Sequence, residues 1–161
     1  MSRRTLILLR HAKSDWSGDD ADIARRLAKR GRQQAPEAGR WLDANIASID
    51  LALVSPAKRA RSTWTLASAE LQISALTRID DRLYAASDRE LLDVVRTLSP
   101  DIDTVVLVGH NPGIEDLVLL LTGETVPMPT SALAVIAVTG SWSTAGHSPA
   151  ALKASGRPPA H

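Results

Sequence analysis

A chain of 161 residues, 44% apolar and 23% charged, has the size and composition of one globular domain with a proper core. A net charge of +1 gives no broad electrostatic case for a nucleic-acid or membrane partner, and a 3% aromatic content without any Phe argues against base stacking. The absence of cysteine excludes disulfides, thiolate metal sites and a cysteine nucleophile, and with the last a cysteine-based phosphatase.

Ser2-Arg3-Arg4 mimics the start of a secretory signal, but the apolar stretch behind it is broken by Arg10-His11, too soon for a secretory core. Apolar runs such as Leu117 to Leu121 are too short to span a bilayer. The expected location is the cytoplasm.

In chain order, Thr5 to Leu9 predicts a buried strand. Residues 11 to 26 are polar and rich in Gly and Asp, a long loop of the kind that often carries function. Leu27 to Asn45 has helical spacing in Ala35, Ala38, Trp41 and Leu42, with Pro36 tolerable only near a helix start. Leu51 to Val54 is a second buried strand. Ser55 then reads as an N-cap and Pro56 as the first residue of a helix reaching about Leu71. Leu76 to Ile79 is a third strand, and Ser87-Asp88-Arg89-Glu90 is a capping box opening a helix to about Leu98. Thr104 to Gly109 is a fourth strand, Asn111-Pro112-Gly113 starts a helix through Leu121, and Leu133 to Val138 is a last strand. This alternation predicts an α/β domain of three layers, α/β/α, around a central, mostly parallel sheet of five to six strands. Residues 1–140 are expected to form the single domain. Residues 141–161, rich in Ser, Pro, Ala and Gly, are expected as a surface wrap or frayed tail.

The chain has four histidines, and two of them, His11 and His110, close apolar strands. In an open α/β sheet the carboxyl ends of strands are where ligands bind. Arg10-His11 reads as a nucleophile beside a phosphate clamp, or as a surface arginine next to a structural histidine. The helix start after Ser55 offers unpaired N–H groups to an anion, with Arg59 about one turn in, while Lys58 and Arg61 fall on a solvated part of the helix. Gly109-His110-Asn111-Pro112-Gly113 places a histidine in a strand-to-helix turn that Gly and Pro alone would satisfy. His147 and His161, in the tail, are assigned no function.

These segments together resemble the histidine phosphatase superfamily, the fold of the cofactor-dependent phosphoglycerate mutases. The family's marks are Arg-His-Gly after the first strand, Ser-Pro-x-x-Arg-Ala-x-x-Thr on the second βα unit and Gly-His after a later strand. Here they read Arg10-His11-Ala12, Ser55-Pro56-Ala57-Lys58-Arg59-Ala60-Arg61-Ser62-Thr63 and Gly109-His110. The resemblance implies that His11 is phosphorylated in the reaction and that Arg10, Arg59 and His110 hold the phosphoryl oxygens; bound phosphate would favour a charged His110. The short length, Ala12-Lys13-Ser14 with Trp16 in the first motif, and Asn111-Pro112-Gly113 after the second histidine are most similar to the small SixA-type phosphohistidine phosphatases. Lys13, Ser14 and Asn111, beside the histidines, are further candidates to bind phosphate or substrate. Trp16, like Lys13, could contact a partner protein or only pack the loop.

The pattern departs from the mutase-like members at the general acid. No unambiguous donor stands in residues 80–90: Glu90 is the far end of the capping box, and Asp81, the candidate donor, has Arg82 and Arg78 as potential ion-pair partners. General acid catalysis typically contributes ~10²–10⁴-fold, and an alkoxide leaving group needs it most. A weak donor therefore suits the labile P–N bond of a phosphohistidine, or an activated aryl phosphate, better than a sugar phosphate. The expected function is metal-independent, cofactor-free removal of phosphate from a phosphohistidine-bearing protein, a phosphotransfer domain or phosphocarrier in signal transduction. The alternatives are a small-molecule phosphomonoesterase on the same fold and a non-catalytic phosphate-binding adaptor.

Overall fold

Five aliphatic runs and one unforeseen segment enter a single sheet. The structure is a computed structural model describing residues 3–160; Met1, Ser2 and His161 lie outside the described residues. The strands are β1 (Arg3–Arg10), β2 (Leu51–Val54), β3 (Leu76–Ile79), β4 (Thr104–Gly109), β5 (Leu133–Thr139) and β6 (Ala151–Gly156), in the order β3-β2-β4-β1-β5-β6. The first four in that order run parallel, and β5 and β6 run antiparallel to their neighbours. The helices are α1 (Lys29–Asn45), α2 (Lys58–Ser68), α3 (Asp88–Arg96) and α4 (Gly113–Thr122).

Side chains alternate across a strand, so β1 feeds two cores. Leu6 and Leu8 pack with Leu91, Leu92 and Val95 of α3 and Ile114 and Leu117 of α4. Ile7 and Leu9 pack on the other face with Ala38 and Leu42 of α1 and Ala60 and Trp64 of α2. All four β1 side chains are fully buried, as a sheet covered on both faces requires. The architecture is the three-layer α/β/α arrangement.

Three local readings need correction. Pro36 sits inside the 17-residue α1 rather than near its start; Ala35, Ala38, Gly39 and Leu42 are buried around it, and that packing outweighs the lost backbone bond. Helix α2 begins at Lys58, not Pro56, and ends at Ser68, short of Leu71. Ser55 is not its N-cap: its hydroxyl accepts from the Ala57 amide at 3.3 Å and is otherwise turned to the site. The residues after Gly140 are not a frayed end. Trp142 is buried, its indole N–H donates to the Ile102 carbonyl at 2.7 Å, and β6 adds an edge strand to β5. The capping box forms as expected, with Ser87 and Glu90 bonding each other's backbone amides. Among the described residues no helix is long and apolar enough to cross a membrane.

Candidate active site

Strands β1 and β4 are parallel neighbours whose last register pair is Arg10 with Gly109. Each histidine is the next residue, so both leave the sheet at the same edge. The His11 amide donates to the Gly109 carbonyl at 3.0 Å, and the two rings lie 5.2 Å apart, tilted by 52°. They line a cavity of about 320 Å³ together with Arg10, Lys13, Ser14, Trp16, Arg25, Arg59, Asn111 and Thr130. Four of these residues are cations, and no carboxylate is among the lining residues described.

His11 is 7% exposed. Its Nδ1 lies 2.7 Å from the Ala12 carbonyl oxygen, which can only accept. The Nδ1 therefore carries the proton and Nε2 carries the lone pair. Burial pushes the ring down to about 3, against the pull of the Ala12 carbonyl, with His110, Arg59 and Arg10 adding repulsion. The ring is neutral at ordinary pH.

The backbone behind this ring is clamped by two helices. The Ala12 amide donates to Thr63 Oγ1 at 2.9 Å, and the Thr63 hydroxyl donates to the Arg59 carbonyl at 2.7 Å, which ties the first motif to α2. The Lys13 amide donates to Gln34 Oε1 at 3.0 Å. Gly31 lets α1 press against the same turn: a Cβ there would sit 2.1 Å from the Lys13 carbonyl oxygen.

The guanidinium of Arg59 is buried and held from one side. Its Nη1 donates to the Asp22 carbonyl at 2.7 Å and its Nη2 to Asp22 Oδ2 at 3.1 Å, leaving Nε without a protein partner. Asp22 also accepts from Arg25 Nη2 at 3.0 Å and from the Tyr84 hydroxyl. These donors, Tyr84 first, hold the Asp22 carboxyl well below the usual carboxylate range. The bond in turn raises the Tyr84 hydroxyl. Arg25 also donates to Ser14 Oγ, and its guanidinium lies 3.5 Å from the centre of the Trp16 ring.

His110 Nε2 is 2.7 Å from Ser55 Oγ, while its Nδ1 has no partner among the described residues. Burial, then Arg59, lowers this ring to about 4, with Asp22 opposing. The charge expected on His110 belongs to the state with phosphate bound; with no anion beside it, desolvation and the neighbouring cation together outweigh Asp22 and favour the neutral ring. Arg10 donates to the Met128 carbonyl at 3.1 Å, and burial draws its guanidinium below the usual arginine range.

The remaining predicted residues separate. Lys13 reaches the cavity from an exposed position. Ser14 lines it with its hydroxyl engaged by Arg25. Asn111 lines it too, but its amide donates to Glu115 Oε2 and the Met128 carbonyl and its oxygen accepts from the Glu115 amide, so it braces the start of α4. Asp81 is exposed and absent from the lining, and Arg82 pairs with Asp80 at 2.6 Å rather than with Asp81. Arg82 does not border the cavity. Asp22, Arg25, Tyr84 and Thr130 escaped sequence reasoning. Their only advance signal is the length of the loop at 11–26, which places Asp22 and Arg25.

Residues 6–87 match the sequence model of the histidine phosphatase superfamily, branch 1. The chain belongs to this superfamily. An uncharacterized protein of Mycobacterium leprae is 36% identical, with 83% of this chain and 89% of that protein covered. Among solved structures, a SixA protein of Nakamurella multipartitia assigned as a phosphohistidine phosphatase superposes with a TM-score of 0.88 at 28% identity, covering 97% of this chain and 96% of the other. A SixA protein of Agrobacterium tumefaciens with the same assignment gives a TM-score of 0.78 at 28% identity, covering 84% and 92%. This histidine phosphatase is thus SixA-like in its fold. Among its described residues no group of His, Asp or Glu is arranged to hold a metal ion.

Proposed function

We propose that this phosphatase removes the phosphoryl group from a protein phosphohistidine through a covalent phospho-His11 intermediate. The observation that carries the reading is the state of His11: neutral, with Nδ1 locked to the Ala12 carbonyl and Nε2 free, in a cavity walled by Arg10, Lys13, Arg25 and Arg59. Phosphoryl transfer needs little more than an aligned nucleophile and charge around the equatorial oxygens.

In the first displacement Nε2 gives its lone pair to phosphorus and the P–N bond of the substrate breaks. The leaving imidazole keeps that electron pair and takes a proton from water. In the second, water attacks phosphorus, the P–Nε2 bond breaks, and the water's extra proton passes to solvent. Arg10, Arg59 and His110 hold the oxygens. A dianion entering the cavity favours the protonated form of His110, so the clamp becomes charged as it fills. Asp22 keeps Arg59 in place and, being ionised, does not act as the proton donor. With no carboxylic acid among the described lining residues, a leaving group that needs strong protonation is poorly served, which favours phosphohistidine over a sugar phosphate.

The proposed partner is a phosphotransfer domain or phosphocarrier, and the proposed setting is cytoplasmic phosphorelay signalling. Brief mixing with such a phosphoprotein should leave acid-labile, alkali-stable phosphate on His11, and EDTA should leave turnover unchanged because the cations are the protein's own. A higher kcat/KM for alkyl phosphates than for the phosphoprotein would favour a small-molecule phosphomonoesterase. Failure to label His11 with any activated donor would favour the adaptor.

A further inference from the structure

Among the described residues Trp16 is the most exposed of the large apolar side chains, at 75%, yet it lines the catalytic cavity. It belongs to none of the apolar core clusters. One face of its indole is covered by the Arg25 guanidinium, 3.5 Å from the ring centre. Arg25 is itself buried and pinned by Asp22 and Ser14. One face of the ring is therefore backed by a cation that other residues fix, and its exposure leaves the second face open.

The direction of the reaction gives that open face a use. His11 is the 7% exposed partner and Trp16 the 75% exposed one on the same cavity, so His11 lies deep and Trp16 at the mouth. An in-line displacement puts the leaving group opposite the nucleophile, and here that side is the mouth. We propose that Trp16 determines specificity for the leaving group, stacking its open face on a planar ring, an imidazole or an aryl group, as the P–N or P–O bond breaks. Offset stacking of two rings adds to simple area burial, and the covering guanidinium keeps the indole from having to be ordered at the moment of binding.

The inference rests on the phospho-His11 mechanism proposed above, but not on a protein being the substrate. The test compares Trp16→Ala, Trp16→Phe and wild type on p-nitrophenyl phosphate, on a phosphohistidine-bearing phosphotransfer domain, and on phosphoramidate, which keeps the P–N bond and has no ring. Trp16→Ala should lower kcat/KM on the ring-bearing substrates by ~3–10-fold, mostly through KM, and change phosphoramidate by less than about twofold. Trp16→Phe should restore most of the loss. Equal losses on all three would mean that Trp16 only props Arg25, and no loss on any would mean that it does nothing; either overturns the proposal. Wild-type turnover of p-nitrophenyl phosphate and phosphoramidate without the phosphoprotein would defeat the phosphohistidine reading while leaving the Trp16 comparison intact. Absence of phospho-His11 with every donor would defeat both.

Discussion

His11 and His110 are two imidazoles that the fold keeps uncharged. Their values of about 3 and about 4 lie below the ordinary 6.5, so below that pH the unfolded chain binds more protons than the folded one. Stability should be full above about pH 7 and should fall as pH drops from 6.5 toward 3. The check is the urea midpoint against pH, in wild type and in a His11→Asn, His110→Asn double variant: the variant should show a shallower fall over that window. Ring proton shifts of both histidines should stay flat between pH 8 and pH 5.5 in the phosphate-free protein, and a midpoint near 6.5 for either would sink the argument. Asp22 makes a separate prediction. Its charge sits on the Arg59 guanidinium and opposes anions in the cavity, so Asp22→Asn should tighten inhibition by inorganic phosphate several-fold while lowering kcat, because Arg59 and Arg25 lose their common anchor. That Arg10, His11, Arg59 and His110 share one cavity was legible in the sequence because each sits at a strand end or helix start, where chain order alone decides which edge of the sheet it reaches. Asp22, Arg25 and Tyr84 were not legible. They meet only when an aperiodic loop folds back over α2, and no spacing encodes that contact.

At the scale of elements, helices whose ends are set by local chemistry read correctly, and those set by tertiary contacts did not. The Ser87–Glu90 box is a closed exchange between residues three apart, and α3 starts where it says. Ser55-Pro56 carries an equally good local signal, but Ser55 Oγ has a better use 2.7 Å from His110, so the helix starts later. Strand β6 was missed because its residues, Ala151 to Gly156, lack β-branched side chains and form a half-exposed edge; its membership follows from pairing with β5. The contact of α1 with the turn after His11 predicts a context-dependent substitution. In a free helix, Gly31→Ala would stabilise by up to ~1 kcal/mol. Here the new methyl meets the Lys13 carbonyl, so denaturant unfolding should instead show a loss of about 1–3 kcal/mol, with kcat falling as the turn behind His11 shifts. A stabilised, fully active Gly31→Ala protein would show that the turn yields freely.

For the whole molecule, the strand order places β1 and β4 side by side in the middle of six strands, with apolar layers on both faces. The parallel α/β frame was readable from the alternation of elements, since a buried parallel sheet writes itself as aliphatic runs separated by helices. The antiparallel pair at one edge was only half visible, because β5 looks like its parallel neighbours until its partner is known.

The bond from the His11 amide to the Gly109 carbonyl is the last between those central strands, at the residue where the chain leaves the sheet for the cavity. The His11 residue is buried, and the central strands beneath that bond part fully only if the cores on both faces open. Native-state hydrogen exchange should find the His11 amide in the slowest class, with an opening free energy equal to that of global unfolding and falling with denaturant at the same slope. Faster exchange, through a small local opening, would contradict this. If it holds, destabilising substitutions far from the cavity will lower the number of active molecules without changing the kcat of those that remain.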